Sequence, residues 1–388
     1  MTGTETFLLA LIVIFSAPYL VWRALKLEEV APLAIVQIIG GVVLGPGVLG
    51  VLFPSAHAAV FTPTTITALS GIANWAVMIF VFLAGCELEF EAAWAARRDA
   101  LTTAALALMT PLLFGLGAAF MLLQFGDHWA GAKGTGWQVV LGTGMACAVT
   151  ALPILVLLMQ KLDILRAPLG QRILRYASLD DIAIWAVLAM ILLDWHRLTL
   201  QVGFVILFAL TVPFYRRLML RLAEGERWVV ALLWLLVCGF AADYSGLHFM
   251  VGAFIAGVVS ERRWFDIARF DQFRETILLA LMPVFFLSTG LKTAWTMGGV
   301  TIVFAAVLLL AASVAGKLTG IGIAAHLLNW PKGEAWKVGW LLQTKALIMI
   351  IFANVLLDRQ IISADLFTAL LLMAVASTAL TLPMLRGR

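Results

Sequence analysis

The stretch "YASLDDIAIW", residues 176–185, places two adjacent carboxylates, Asp180 and Asp181, inside a run that is apolar on both sides. A charged side chain at the centre of a bilayer costs at least about 2.5–3.5 kcal/mol, so each needs a partner or a wet cavity. Of the 388 residues, 63% are hydrophobic and only 12% are charged, which excludes a water-soluble fold of ordinary composition. We therefore expect a polytopic membrane protein. The alternative for this pair is a helix that begins later and leaves the carboxylates at the membrane surface.

The whole chain divides into apolar runs, most of them about as long as the 20 residues that a helix needs to cross hydrocarbon. The pattern predicts an all-α membrane protein with about thirteen transmembrane helices. These segments lie near residues 5–23, 32–53, 67–86, 101–124, 138–160, 176–194, 198–215, 228–243, 246–260, 275–291, 298–327, 335–357 and 364–385.

The lysine and arginine residues are distributed unevenly between the two sides of this arrangement. Loops that follow odd-numbered segments, together with the carboxyl tail and with Lys337 at the start of the twelfth segment, hold 20 of the 26 basic residues, whereas loops that follow even-numbered segments hold 4. Basic residues favour the cytoplasmic side, so the bias places the amino terminus outside and the carboxyl terminus in the cytoplasm. The expected location is a bacterial inner membrane, with membrane lipid as the surrounding partner.

Thirteen segments also divide into six, a linking helix and six, which suggests the inverted repeats of many transporters. The fifth and twelfth segments then correspond, and each has a polar break. Thr150 and Pro153 interrupt the fifth; Gln343, Thr344 and Lys345 interrupt the twelfth. Breaks at membrane depth free backbone groups that can face an ion. A simple kink is the alternative for either break, but their matching positions favour discontinuous helices.

Adjacent residues on a helix point about 100° apart, so Asp180 and Asp181 cannot both face one partner. Lys317, between Gly316 and Gly320 in the eleventh segment, is the candidate partner, because small neighbours let helices approach closely. Lys345 is expected to stabilise its own broken helix at the carbonyl ends. The other carboxylate, lining an aqueous cavity, can bind either a proton or a cation, which is the chemistry of cation/proton antiport.

Other kinds of site find no support in the sequence. The three cysteines lack metal-ligand spacing and are interpreted as buried, inert thiols. Zinc, phosphate-loop and nucleotide-binding patterns are absent, so no cofactor and no nucleic-acid partner are expected. An intramembrane aspartyl protease needs two carboxylates that share a water from separate helices. Neighbours on one helix do not fit that requirement, so we do not expect an enzyme.

Several stretches, taken in order, resemble the second branch of the monovalent cation/proton antiporter superfamily, which includes bacterial Na⁺ or K⁺/H⁺ exchangers and plant cation/proton exchangers. They are "IIGGVVLGPGVLG", "FVFLAGCELEF", "AVTALPILVLLMQKLDILRAPLGQRILRYASLDDIAIW", "GLHFMVGAFIAGVV" and "PVFFLSTGLKT". The resemblance covers essentially the whole chain. It implies six-helix inverted repeats in which two discontinuous helices cross.

The resemblance also implies a division into domains and a way of moving. Residues 1–100 and 228–297 would form a dimerisation domain, residues 101–195 and 298–388 an ion-translocating core, and residues 196–227 a linker helix. The protein would be a homodimer. The core would carry its ion across the membrane by an elevator-like movement.

For the site, the resemblance implies that Asp181 is the essential ion-binding aspartate and that Asp180 pairs with Lys317, as in electrogenic members. Asp181, Asp180 and Thr150 would then hold the monovalent cation. The sequence departs from the family at residues 343–346, where Gln-Thr-Lys-Ala replaces the common Asn-Thr-Arg-Gly. This departure bears on cation choice and on the geometry of the break.

These observations predict a secondary antiporter, electrogenic, that exchanges protons for Na⁺ or K⁺. Two other transport activities stay open at this stage. A sodium-coupled symporter of an organic anion has a similar inverted-repeat build, and it would take up solute without releasing protons. A channel would show linear flux without saturation.

Overall fold

Apolar segments in a bilayer must satisfy their backbone hydrogen bonds internally, which favours helices. The computed structural model describes residues 2–27, 33–87, 98–165, 167–194, 197–291 and 299–386. Within these ranges the regular structure is helical, and the only β contact is an isolated bridge between Ala130 and Ile362. The predicted all-α fold class is confirmed.

Each of the thirteen predicted segments coincides with one α-helix or with two consecutive ones. A further short helix, α4, begins with a proline at its first position and lies outside the predicted set. The helices are α1 Gly3–Ala24, α2 Leu33–Leu44, α3 Leu49–Leu52, α4 Pro54–Val60, α5 Pro63–Cys86, α6 Arg98–Gln124, α7 Gly136–Ala148, α8 Leu152–Lys161, α9 Pro168–Ile191, α10 Leu198–Arg221, α11 Glu224–Tyr244, α12 Phe249–Val258, α13 Ile267–Ala280, α14 Met282–Leu291, α15 Val300–Leu327, α16 Glu334–Leu341, α17 Ala346–Asp358 and α18 Ala364–Arg386.

Nine spans in the described ranges are long and apolar enough to cross a membrane, and a tenth is α16 with α17, which are bent by 42° at their junction. The protein is therefore a multi-pass membrane protein. Three predicted segments are not among these spans, and the structure shows why each is too short, too interrupted or too charged. The segment of α7 and α8 is interrupted, α9 carries the two aspartates together with Arg172 and Arg175, and α12 has only 10 residues.

The chain forms two compact units. Unit 1 comprises Met1–Thr65, Phe90–Val187 and Phe286–Arg388, and unit 2 comprises Ile66–Glu89 and Leu188–Phe285. This grouping reflects contacts within one chain. The predicted division into a dimerisation domain, a core and a linker helix stays a prediction.

Unit 1 is built around close packing of α15 against α6. Gly316 lies against the backbone of Pro111, and Gly320 lies against the carbonyl of Leu106, so a Cβ atom at either glycine would overlap the neighbouring helix. The absence of side chains there brings the two backbones together. As a consequence Lys317, on the same turn of α15, lies fully buried.

Direct contacts join the two sequence halves of unit 1 through their loops. The Gly131 amide donates to the Ile361 carbonyl at 2.9 Å, and the Ser363 amide donates to the Trp129 carbonyl at 3.1 Å. Elsewhere in the unit, the Arg172 guanidinium pairs with Glu334 at 2.7 Å. The halves are therefore joined by connecting loops as well as by packed helices.

Unit 2 is held by backbone contact between α5 and α12 and by aromatic packing. Gly85 and Gly257 bring the two helices so close that a Cβ atom at either position would overlap the opposite backbone. Tyr215 stacks on Trp234 with ring centroids 4.5 Å apart, and its hydroxyl lies 2.8 Å from that of Ser260. The interior of unit 2 is mostly apolar.

Candidate functional site

The first break separates α7 from α8. Helix α7 ends at Ala148, Val149 adopts an extended conformation with φ −62° and ψ 150°, and α8 begins at Leu152. The carbonyls of residues 147–149 therefore lack the amide partners that a continuing helix would supply, and they lie at the negative end of the α7 dipole. Thr150 lies in the break. Pro153 is the second residue of α8, and its side chain lies outside the described part of the chain.

The second break, between α16 and α17, holds Gln343, Thr344 and Lys345. The two breaks contact each other directly, because the Ala151 amide donates to the Thr344 carbonyl at 2.6 Å. The sequence thus located both interruptions, and the fold brings them together in unit 1.

Asp180 lies in the middle of the 24-residue α9, where its side chain is 1% exposed. Its Oδ2 atom lies 3.2 Å from Lys317 Nζ and 2.7 Å from the hydroxyl of Thr150. Lys317 Nζ also donates to the Ala148 carbonyl at 2.6 Å. The contact predicted between Asp180 and Lys317 is present. Because α9 runs from Pro168 to Ile191, the carboxylates do not lie at a helix end.

Asp181 follows on α9 and is 5% exposed. The rotation between adjacent helical residues turns its carboxylate away from the direction of Asp180. Asp180 contributes one further acceptor, because its Oδ1 atom is buried and has no hydrogen-bond partner among the described residues. Of the two carboxylates of α9, that of Asp180 thus contacts the first break directly, and that of Asp181 follows on the same helix.

Lys345 makes contacts that differ from the expectation. The sequence placed its ammonium at the carbonyl ends of its own interrupted helix. In the structure Nζ donates to the Cys147 carbonyl at 2.7 Å and to the Val149 carbonyl at 2.9 Å, both at the end of α7. The reason is geometric: Lys345 is the residue just before α17, and the crossing of the breaks places the α7 terminus within reach of its side chain.

Other polar groups in the site were missed at the sequence level. The Ser313 hydroxyl donates to the Cys147 carbonyl at 2.8 Å and accepts from Gln343 Nε2 at 2.7 Å. Ser377 donates to the Gln343 carbonyl at 2.6 Å. Ser313 stands four residues before Lys317, one helical turn away, and that spacing was a usable signal.

Thr378, on α18, supplies a cap to the second half-helix. Its hydroxyl accepts from the amides of Lys345 and Ala346, each at 3.1 Å. These are orphan donors at the start of α17, a position normally satisfied by a residue of the same helix. The adjacent polar pair Ser377 and Thr378 within an apolar segment was the available signal.

The potential ligands in this site are oxygen atoms. In the described ranges there is no group of three or more His, Cys, Asp or Glu side chains that could hold a metal ion. The available ligands are carboxylate, hydroxyl, amide and backbone oxygens, which are hard donors. The three cysteines are buried thiols.

Comparison with known proteins gives matches along nearly the whole chain. Residues 9–386 match the family model described as "Sodium/hydrogen exchanger, transmembrane". Cation/H(+) antiporter 18 of Arabidopsis thaliana is 30% identical over 375 residues, which cover 91% of this chain and 45% of the plant protein. This chain therefore spans about half the length of the plant relatives that it matches.

A relative of similar length and a solved structure also match. The Na(+)/H(+) antiporter NhaS4 of Synechocystis is 26% identical over 374 residues, which cover 91% of this chain and 90% of that protein. The sodium proton antiporter MjNhaP1 from Methanocaldococcus jannaschii has a TM-score of 0.59 at 13% identity, with 98% and 94% of the two chains covered. At that identity the structural likeness supports the fold.

Proposed function

Because this chain belongs to the sodium/hydrogen exchanger family, we propose that it is a secondary antiporter that exchanges protons for Na⁺ or K⁺ across a membrane. The observation that carries this proposal is the buried pair of carboxylates on α9 beside the meeting point of two interrupted helices. Carboxylates at membrane depth are costly unless they serve a partner or an ion. Interrupted helices supply the polar surroundings that an ion requires.

In the proposed mechanism Asp181 is the group for which the cation and the proton compete. A carboxylate that binds a proton loses its negative charge and its affinity for a cation, so each ligand displaces the other. Asp180, through its second oxygen, and Thr150 complete the cation site. Binding of one ligand at a time is sufficient for coupled exchange by alternating access.

We further propose that the Asp180–Lys317 pair makes the exchange electrogenic. When a cation binds to Asp180, the ammonium of Lys317 loses part of the negative charge that stabilises it and releases its proton. The support is the buried contact of 3.2 Å, shared with Thr150. A cycle that moves two protons for one cation carries net charge, so its rate should respond to an imposed membrane potential.

The remaining family features are proposals of the same kind. Residues 101–195 and 298–388 would form the moving core, residues 1–100 and 228–297 the dimerisation domain, and residues 196–227 the linker helix of a homodimer in a bacterial inner membrane. Movement would be of the elevator type. The support for a cytoplasmic carboxyl terminus is the bias of basic residues.

Proteoliposomes that contain a pH-sensitive dye test the proposal. Addition of NaCl or KCl to liposomes with an imposed proton gradient should move protons in the wild type, with saturation as cation concentration rises. The Asp181→Asn variant should lose the signal. Asp243→Asn, which changes an exposed aspartate of α11, is the matched control and should retain it. Wild-type exchange in the Asp181→Asn variant would exclude the proposed role.

The same vesicles test electrogenicity. A membrane potential of either sign is imposed by diffusion of potassium or lithium through the matching ionophore, while the antiporter transports a different cation. This potential should accelerate or slow exchange by the wild type. The Lys317→Arg variant keeps a charge that does not release its proton at any working pH, and it should lose the voltage response. A wild type that is indifferent to voltage would indicate electroneutral exchange.

A further inference from the structure

Lys345 occupies a position where unwound carbonyls in other transporters meet a free cation. Its ammonium bridges the carbonyls of Cys147 and Val149 at 2.7 and 2.9 Å, and the carbonyl between them, of Ala148, accepts from Lys317 at 2.6 Å. Three consecutive carbonyls at the negative end of α7 are thus engaged by two lysines. Both lysines are 0% exposed.

We propose that Lys345 is a tethered cation: it fills the carbonyl cradle of the first break and restricts the transported cation to the carboxylates of α9. The inference rests on the proposed function and adds to it the number of exchangeable cation sites, which is one. It assigns Lys345 the part of a positioning and specificity-determining residue. Lys345 is not itself an ion-binding ligand.

The charge balance of unit 1 supports this assignment. Among the described residues of the unit, the buried Asp, Glu, Lys, Arg and His side chains are Asp180, Asp181, Lys317 and Lys345. With all four charged, the cluster has no net charge. Removal of the Lys345 charge would leave an excess negative charge beside oriented carbonyls, and both features favour entry of a cation from solution.

Gln343 supplies an independent observation that the cradle is suited to a cation. Its Nε2 atom donates to Ser313, which in turn donates to the Cys147 carbonyl, so the amide lies one hydroxyl away from the cradle. Its Oε1 atom is buried and has no hydrogen-bond partner among the described residues. A buried amide oxygen without a partner is a hard donor that remains available to a cation.

The test measures cation binding without transport, in a protein that lacks the exchange site. Purified Asp181→Asn and Asp181→Asn/Lys345→Met proteins are unfolded thermally in rising NaCl or KCl, with choline chloride keeping the ionic strength constant. The single variant should show no cation dependence. The double variant should show a saturable rise in its unfolding temperature, because a ligand that binds only the folded state stabilises it.

Asp181→Asn/Lys345→Arg is the matched control, since the guanidinium keeps a charge and several donors at the same place. It should be insensitive to both cations. In proteins that retain Asp181, equilibrium binding measurements should give a stoichiometry of one cation per chain for the wild type and two for Lys345→Met. A folded double variant whose unfolding ignores Na⁺ and K⁺ would overturn the proposal.

Failure of the methionine variant to fold is also informative. If Lys345→Met cannot be purified in choline, the proposal requires recovery in NaCl or KCl, because a free cation then takes the place of the tethered one. Loss in every medium would overturn it. An inactive wild type in proteoliposomes would exclude the antiporter while leaving this result unaffected, so the two failures are distinguishable.

Discussion

The two units use polar groups in opposite ways. In unit 1, charged and hydroxyl side chains lie at the centre, where Asp180 and Lys317 are 1% and 0% exposed in their side chains. In unit 2, the ion pairs involve partly exposed side chains: those of Arg216 and Glu261 are 48% and 25% exposed, and those of Arg274 and Glu87 are 25% and 14% exposed. Its interior is made of glycine contacts and aromatic rings instead. We assign ion exchange to the polar interior of unit 1. The apolar interior of unit 2 has a structural role, which is the packing of its helices.

This difference has an energetic side. An exposed ion pair contributes little, because water screens it and its side chains lose entropy on pairing. A buried pair is costly to form and costly to break, since either partner alone is an uncompensated charge. Substitutions in the two units should therefore differ in size and in how they combine.

The largest expected effect is in the buried pair of unit 1. Lys317→Met should lower the free energy of unfolding by about 3–5 kcal/mol, because it strands the Asp180 carboxylate. The double variant Asp180→Asn/Lys317→Met should recover most of that loss, although it should not respond to voltage. Unfolding of the purified proteins measures the free-energy changes of the single and the double variant. Additive losses in the double variant would show that the pair is not energetically coupled.

Unit 2 should be most sensitive at its glycine contacts. Gly257→Ala places a methyl group against the Phe82 backbone and should cost about 1–3 kcal/mol through overpacking. Gly71→Ala, on α5, has open space around it and should be neutral or stabilising by up to about 1 kcal/mol. Equal effects of the two substitutions on the unfolding temperature would argue against tight packing of α5 on α12.

A smaller effect is expected at the cap of α17 in unit 1. Thr378→Val removes the acceptor for the amides of Lys345 and Ala346 and should cost about 0.5–2 kcal/mol. Thr378→Ser keeps the hydroxyl and should be close to wild type. The unfolding temperature distinguishes them, and a serine variant as unstable as the valine variant would indicate that the methyl group, not the cap, matters.

The smallest effect is expected at the exposed ion pairs of unit 2. Arg216→Gln removes one of the two arginine partners of Glu261, the other being Arg263, and should change the free energy of unfolding by no more than about 1 kcal/mol. Exchange activity should be unchanged. A loss comparable with that of Lys317→Met would erase the distinction between the two units.

Much of this architecture could be predicted from the sequence. Hydropathy located the helical segments, and the cost of buried charge singled out Asp180, Asp181 and Lys317. The start of α9 was wrong: the segment was placed at residue 176, whereas the helix begins at Pro168. Hydropathy marks where apolar residues begin. Because Arg172 and Arg175 lie in the first two turns of α9, those turns were not recognised as part of the helix.

The direction of Lys345 could not be predicted, because it depends on how two distant breaks cross. A sequence reveals that a helix is interrupted, but it does not reveal which broken end lies within reach of a side chain from the other half. Thr378 is similar: it caps a helix that ends 20 residues before it along the chain. Such contacts arise from tertiary structure, although polar residues inside apolar segments point to where they can form.

Proton release on cation binding tests the competition at Asp181 most directly. Purified wild-type protein in weakly buffered solution receives NaCl or KCl, and the pH of the medium and the bound cation are measured together, with choline chloride as the control. We predict that protons leave the wild type as the cation binds, and that Asp181→Asn releases none. Cation binding without proton release, or full release from Asp181→Asn, would contradict exchange at this carboxylate.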